Sequence, residues 1–437
     1  MREIRIGILG FGIVGSGVVE GLLKNKNLIA DRCGIIPIIG KIVDRDIEHD
    51  RGISSTKELL TTSAESVIND NSIDIIVELI GGTTIAKKYV EAALRLGKPV
   101  VTANKALLAD YGAELFTLAN QYDTGIYYEA SVGGGIPIIR SQRDGLIANQ
   151  IEEIFGILNG TCNYILTRME KEGLSYGEVL LDAQKLGYAE TPPDLDIDGV
   201  DTAHKAVILA SMAFGSSISM SNCSILGIRG ISQVDIKNSS ELGYRIKLLS
   251  IIKNKNNLIE LTVEPVLVPK SHMIGSVSDS FNAVFIKGDI VGDTMYYGRG
   301  AGKLPTGSAV IGDIMEAAAD ILDNRGSPSS VSVMIQNNHL NYISSKDVLK
   351  RCYLRLSLSD EPGAMGQVMS SFGENNINIA SVLQKEIHPN GVVPVIILTE
   401  LAKESDFINA VSKINSLNIL QEKVIRFRLE DFDDESS

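Results

Sequence analysis

Ile4-Arg5-Ile6-Gly7-Ile8-Leu9-Gly10-Phe11-Gly12-Ile13-Val14-Gly15 sets a short apolar run directly ahead of three glycines spaced as GxGxxG. The apolar run reads as a buried strand, and Ser16 to Leu23 has helical spacing. Glycines at these positions permit a tight turn. They also let backbone N–H groups approach a pyrophosphate at the N-terminus of the following helix. The motif alone is weak, since glycine-rich turns are common, and its context between a strand and a helix strengthens it. Gly10, Phe11, Gly12, Ile13, Val14 and Gly15 are therefore candidate cofactor contacts.

Working outward, Ile35 to Val43 reads as a second strand that ends at Asp44. An acidic residue there can take ribose hydroxyls, while the following Arg45 could instead meet a 2′-phosphate. The choice between NAD and NADP stays open, and an ordinary strand-end turn explains Asp44 equally well. Ile73 to Leu79 is a third strand closed by Gly81-Gly82, and Thr84 to Leu96 is helical with Gly97 as its stop. Val100-Val101, a helix over Leu107 to Gln121 and a strand over Ile126 to Glu129 continue the alternation. The expectation is an α/β, Rossmann-type, doubly wound parallel sheet over residues 1–130.

The whole chain has 437 residues, enough for two or three domains. Its formal charge of −13 argues against a nucleic-acid surface, which needs clustered Lys and Arg. Cys33, Cys162, Cys223 and Cys352 form no CxxC pair, so neither a disulfide framework nor a cysteine metal site is indicated, as suits a reducing cytoplasm. No signal-peptide core and no apolar stretch of membrane-spanning length is expected.

After Gly133-Gly134-Gly135 helical patterns (164–170, 175–185, 202–214) mix with strands (258–268, 282–287). Residues 131–304 are thus expected to form an α+β catalytic and dimerisation domain. A helix near 305–322 should return to the first domain, and 323–348 has linker composition. Residues 349–430 read as strand-helix-strand-strand-helix-strand, a ferredoxin-like order, ahead of an acidic tail, 431–437, expected to be disordered.

The chemistry is concentrated in the run from Gly187 to Lys205, which carries Glu190, Asp196, Asp201 and Lys205 around two prolines. Lys205 follows Asp201 by one helical turn, so the two can share a face, although a plain i,i+4 salt bridge would look the same. Lys105 lies just past the short strand at 100–101, at the sheet's carboxyl edge where ligands bind. Two lysines converging on one cleft would make one of them a better proton donor near neutrality. Glu190, Asp196 and Asp201 could then hold a substrate ammonium, with His204 as a packed neighbour. Glu129 precedes a glycine bend rich in backbone carbonyls, a donor type that hard cations prefer; a plain glycine turn accounts for it as well. Cys162 is a conceivable nucleophile with no histidine nearby in sequence.

Taken together, Gly10–Gly15, Thr102-Ala103-Asn104-Lys105-Ala106, Glu129-Ala130-Ser131-Val132-Gly133, Gly156–Thr161, the Gly187–Lys205 run and Tyr297–Gly302 with Pro305-Thr306 resemble homoserine dehydrogenase over nearly the whole chain. That resemblance implies NADPH- or NADH-dependent reduction of L-aspartate 4-semialdehyde to L-homoserine, in threonine, methionine and isoleucine biosynthesis. It implies Lys205 as proton donor and Lys105 as its partner at substrate and nicotinamide. It further implies Glu190 and Asp201 as homoserine ligands, and Thr102, Gly187 and Gly302 as cofactor contacts. Glu129, with the backbones of Val132, Gly134 and Ile136, would be a sodium site. Pro192, where the family usually has Asp, Asn or Ser, and Cys162, where Thr is common, are departures. The segment Leu356–Gly366, with Asn376-Ile377-Asn378-Ile379, resembles an ACT domain, an amino-acid-sensing module whose effector here would be threonine. A homodimer or homotetramer is the family expectation. Two other functions fit the same residues: a Cys162-dependent semialdehyde dehydrogenase, and a non-catalytic amino-acid sensor.

Overall fold

A computed structural model describes residues 2–189, 191–325, 340–384 and 391–432. Glu190, together with most of the expected linker at 323–348, lies outside the described residues.

The first sheet contains β1 (Arg2–Leu9), β2 (Ile35–Val43), β3 (Leu60–Thr61), β4 (Ile75–Glu78), β5 (Val100–Thr102) and β6 (Ile126–Tyr127). All five pairings are parallel, and the order is β3-β2-β1-β4-β5-β6. This is the doubly wound arrangement the alternation predicted. The chain reverses direction across the sheet between β1 and β4, so the loops leaving their carboxyl ends part and open a crevice. Strands buried on both faces need continuous apolar runs, and Ile4, Ile6, Ile8 and Leu9 of β1 are fully buried.

The helix Ile13–Lys24 leaves the glycine turn and packs against the helix Lys303–Leu322. Two glycines permit the approach. A Cβ on Gly17 would run into the Lys303 carbonyl, and one on Gly307 would crowd the Gly17 backbone. Gly17→Ala is expected to lower stability by about 1–3 kcal/mol through overpacking at this crossing. A thermal melt checks it, and an unchanged midpoint would mean that the two helices separate freely.

The second sheet is mixed. Its strands are β7 (Ile151–Ile157), β8 (Ser224–Ile225), β9 (Tyr244–Lys255), β10 (Leu258–Pro269), β11 (Phe281–Gly288), β12 (Gly292–Arg299), β13 (Asn341–Tyr342), β14 (Leu349–Ser359), β15 (Ile379–Gln384), β16 (Val392–Thr399), β17 (Ala402–Lys403) and β18 (Leu420–Leu429). The main path runs β12-β11-β7-β9-β10-β18-β14-β16-β15. Its last four strands, numbered within the C-terminal segment, lie in the order 4-1-3-2, with helices Ala364–Gly373 and Glu404–Asn415 between them. That is the βαββαβ arrangement read from the sequence.

The C-terminal segment is continuous with the middle one. β10 pairs in parallel with β18 at Val266↔Arg428 and Leu267↔Leu429. Buried charges cross this seam: Lys350 Nζ lies 2.9 Å from Glu264 Oε1, and Arg428 is ion-paired to Glu264, Glu260 and Glu430.

The expectation of a disordered tail from 431 is corrected at its start. Asp431 is ion-paired to Arg351 and accepts from Tyr244 Oη at 3.2 Å. Phe432 stacks on His272 with centroids 3.9 Å apart and also meets Phe155. An aromatic ring beside the acids supplies the buried contact that composition alone does not reveal. Residues 433–437 lie outside the described residues. Among the described residues no helix is long and apolar enough to cross a membrane.

Candidate active site

The glycine turn is shaped by two close approaches and one open face. A Cβ on Gly10, at φ +107°, would strike the Leu79 carbonyl, and one on Gly15 would strike the Gly10 carbonyl. A Cβ on Gly12 would meet nothing within 4 Å. The outer two glycines thus fold the turn, and the middle one leaves its backbone approachable, which fits a pyrophosphate at the start of helix Ile13–Lys24. Phe11 is buried, Val14 is partly buried, and Ile13 projects outward.

Asp44 closes the turn from the end of β2. Its carboxylate accepts from Phe11 N at 2.8 Å and Asp46 N at 3.0 Å, and Arg51 approaches it at 3.2 Å. Burial pushes this carboxyl up, but those backbone N–H groups and the Arg51 guanidinium outweigh it and hold it below its usual value. Arg51 also donates to Phe11 O at 2.5 Å and lies over the Phe11 ring. Arg45, the sequence candidate beside Asp44, is exposed. Arg51 was not singled out by sequence, because the loop between it and Asp44 has no periodicity.

On the other side of the crevice, β5 ends at Thr102 and the helix Lys105–Gln121 begins with Asn104 as its cap. Thr102 Oγ1 donates at 2.7 Å to Glu78, whose other oxygen accepts from Ile80 N and Gly81 N. Buried Glu78 therefore fixes the turn after β4 and the strand end that presents Lys105. It gave no signal in the sequence.

The helix Val200–Phe214 starts after Gly199, which takes a left-handed φ of +85°. Asp201 sits in its first turn and Lys205 one turn later, both buried. Lys205 Nζ donates to Asp201 Oδ2 at 2.7 Å and to the Leu158 carbonyl at 2.7 Å. Lys105 Nζ lies 2.9 Å from Asp201 Oδ1. One carboxylate thus holds both lysines, one on each oxygen. The structure puts this bridge where the sequence placed two amines in direct mutual repulsion. Burial pushes the Asp201 carboxyl up, and the Lys205 and Lys105 ammonium groups overcome it and hold the acid far below its usual value.

Asn159 ties the acidic run to this core. Its Nδ2 donates to Asp196 Oδ1 at 2.8 Å and Asp201 Oδ2 at 2.9 Å, and its Oδ1 caps Cys162 N at 2.8 Å. Arg229 clasps Asp194 and Asp198 on either side of Asp196. His204 is half-buried, and burial lowers its pKa. Gly187 and Gly302 are both exposed, at φ +73° and +133°.

Cys162 is fully buried, and its Sγ donates to the Asp196 carbonyl at 3.3 Å. Burial drives the thiol well above its usual pKa, the reverse of what a nucleophile needs. Alkylation that modifies exposed Cys33 is expected to leave turnover within about twofold of the untreated protein. Substrate-protected inactivation in the same assay would restore the cysteine route.

Glu129 is buried, and both of its oxygens accept backbone N–H groups, from Ile139 and Arg140, at 2.9 Å each. Burial raises its pKa despite these bonds. Val132, Gly134 and Ile136 lie in the adjoining turn, where Gly133 and Gly134 take positive φ. The turn packs on the Gly298–Gly302 segment, with Gly135 N donating to Arg299 O at 2.9 Å. Among the described residues no three His, Cys, Asp or Glu side chains converge as a metal site.

A dinucleotide turn after β1 and a lysine–carboxylate–lysine bridge reaching the carboxyl end of β5 equip a nicotinamide-dependent oxidoreductase for a small carbonyl or alcohol. Relatives narrow the class. Residues 137–315 match the homoserine dehydrogenase family model, and residues 10–129 match that of the homoserine dehydrogenase NAD-binding domain. A Bacillus subtilis homoserine dehydrogenase is 38% identical over 431 residues, covering 98% of this chain and 99% of that one. The crystal structure of a homoserine dehydrogenase from Thiobacillus denitrificans superposes with a TM-score of 0.91 at 38% identity, covering 98% of each chain. A hyperthermophilic archaeal homoserine dehydrogenase in complex with NADPH superposes with a TM-score of 0.60 at 26% identity, covering 73% of this chain and 98% of that one. The chain belongs to the homoserine dehydrogenase family. It is an NAD(P)-dependent oxidoreductase of amino-acid biosynthesis that interconverts L-aspartate 4-semialdehyde and L-homoserine.

Proposed function

We propose that Lys205 is the proton donor to the substrate's carbonyl oxygen and that Asp201 holds its ammonium in place for that transfer. The observation that carries this reading is the Asp201 carboxylate, shared between Lys205 and Lys105. When bound, the reduced nicotinamide supplies the hydride that attacks the aldehyde carbon. Lys205 then gives a proton to the oxygen as negative charge develops on it, and takes the proton back in the direction of alcohol oxidation. The Leu158 carbonyl and Asp201 occupy two of its three N–H bonds, so the third is the one left to point at substrate. Lys105 stands on the coenzyme side, at the end of β5, and orients the reacting carbonyl. Glu190, Asp196 and Asp201 are the carboxylates assigned to the substrate ammonium.

Gly10 to Gly15, Asp44, Arg45, Thr102, Gly187 and Gly302 are assigned to the dinucleotide. A hard monovalent cation such as sodium would be held by Glu129 and the carbonyls of Val132, Gly134 and Ile136, where it would neutralise a buried carboxylate and stiffen the turn. Residues 349–430 are assigned to an ACT-like regulatory unit with threonine as effector, and the assembly to a cytoplasmic homodimer or homotetramer. Support for the regulatory unit is the 4-1-3-2 strand order.

The purified chain should consume NADPH or NADH when given aspartate semialdehyde, as followed by nicotinamide absorbance, with threonine altering the rate. A chain that binds threonine but never consumes either coenzyme would instead be a sensor.

A further inference from the structure

Asn282 is the first inward residue of β11 and pairs across the ladder with Gly298 of β12. It is 1% exposed, and neither Nδ2 nor Oδ1 has a hydrogen-bond partner among the described residues. A buried primary amide with both ends unpaired is costly, and an apolar side chain of like shape would remove the cost.

The amide is wedged between two glycines, one from each half of the active site. A Cβ on Gly300 would fall directly on it. A Cβ on Gly160 would come 3.4 Å from its Oδ1 and 2.7 Å from the Ser280 carbonyl. Gly160 follows Asn159, which holds Asp201 and Asp196, and Leu158, whose carbonyl holds Lys205. Gly300 opens the short loop Gly300–Gly302 after β12, which leads into the helix packed against Ile13–Lys24. The strand around the amide is braced: Phe281 stacks on Tyr297 at 5.0 Å, Arg299 lies over Phe281, and Asn163 Nδ2 donates to Phe281 O at 3.1 Å. Past the last ladder pair, Phe281↔Arg299, the chain leaves the strand as Gly300-Ala301-Gly302, with glycine at two of three positions, and this is the part with freedom to turn.

We propose that Asn282 is a positioning residue for coenzyme binding, whose amide takes up the peptide groups flanking Gly300 as that loop settles around the dinucleotide. The proposal rests on the assignment of Gly302 and the glycine turn to the coenzyme. The unpaired amide disfavours the loop's resting position, and the bonds it gains are available only with coenzyme seated. Asn282 acts through the loop and the Gly160 turn, without touching the reacting atoms.

Asn282→Leu keeps the branching and removes both polar ends, and Asn282→Ala avoids any clash with Gly300. Wild-type protein is first titrated with NADPH and NADH by nicotinamide fluorescence and assayed for turnover; absence of either would refute the coenzyme assignment rather than the role of Asn282. Each variant is then melted with and without coenzyme and titrated in the same way. The expected result is a coenzyme Kd about tenfold weaker or more, a smaller coenzyme-induced rise in Tm, and an unchanged or higher Tm without coenzyme. The KM for coenzyme should rise, with kcat at saturation and the KM for aldehyde held. An unaltered coenzyme Kd overturns the proposal. So does a lowered coenzyme-free Tm or loss of folding in both variants, which would make the amide a fixed structural bond.

Discussion

Lys205→Ala is expected to lower turnover by about 10²–10⁴-fold, the range lost with a positioned general acid, while coenzyme binding persists. The ammonium is the only part of the proposed proton path that carries a proton to give, because Asp201 is held ionised by the two lysines around it. The glycine turn and Asp44 lie at the ends of β1 and β2, whereas the bonds of Lys205 run to Asp201 and the Leu158 carbonyl, so fluorescence titration with NADPH should give an unaltered Kd. Removing the lysine leaves Asp201 still paired to Lys105 and the Leu158 carbonyl without its donor, a modest structural loss beside the kinetic one. Wild-type turnover in the variant would remove Lys205 from the proton path.

Asp201→Asn should act on stability as well as rate. The substitution leaves Lys205, buried in the helix Val200–Phe214, without its carboxylate, and breaking a buried pair this way costs roughly 3–5 kcal/mol. Lys105 contributes less to that figure, since its side chain is 40% exposed and solvent screens it. The sign of the pH dependence follows from the depressed acid. Asp201 in the folded chain stays ionised below the ordinary aspartate value of about 3.9, so its stabilisation is complete above that pH and is lost as the pH falls further. Wild type should therefore show a steeper acid limb in its melting temperature below about pH 4 than the variant, in which Asp44, Glu264 and Glu430 still titrate but Asp201 no longer does. Because Asp201 touches both lysines, the losses from Asp201→Asn and Lys205→Ala should fall short of additivity in a double-mutant cycle. Equal acid limbs in the two proteins would show that the bridge bears no charge of consequence.

The pair Asp201 and Lys205 could be read from the chain because four residues make one helical turn, and Lys105 because it follows a strand that alternation had already located. The doubly wound parallel sheet was legible for the same reason, since strand-helix periodicity is local, whereas its strand order and the two-residue β3 came only with the structure. Arg51, Glu78 and Asn282 were not legible. Each meets its neighbours across a loop or a ladder, as Arg51 does Asp44 and Glu78 does Thr102, and no spacing marks such contacts. The bridge itself was half seen: both amines were expected in one cleft, but the carboxylate between them appears only once helix and strand end are packed. Phe432 and Asp431 were lost to the composition of their surroundings, where a run of acids concealed one ring and one useful charge.

β10 has two duties. It borders β18 along one edge, and the helix bearing Asp201 and Lys205 packs on it and on β9. The C-terminal unit is consequently no pendant tethered by a hinge. A strain set up in the C-terminal unit would meet the helix bearing Asp201 and Lys205 through the backbone of β10 that both share, and not through a swinging arm.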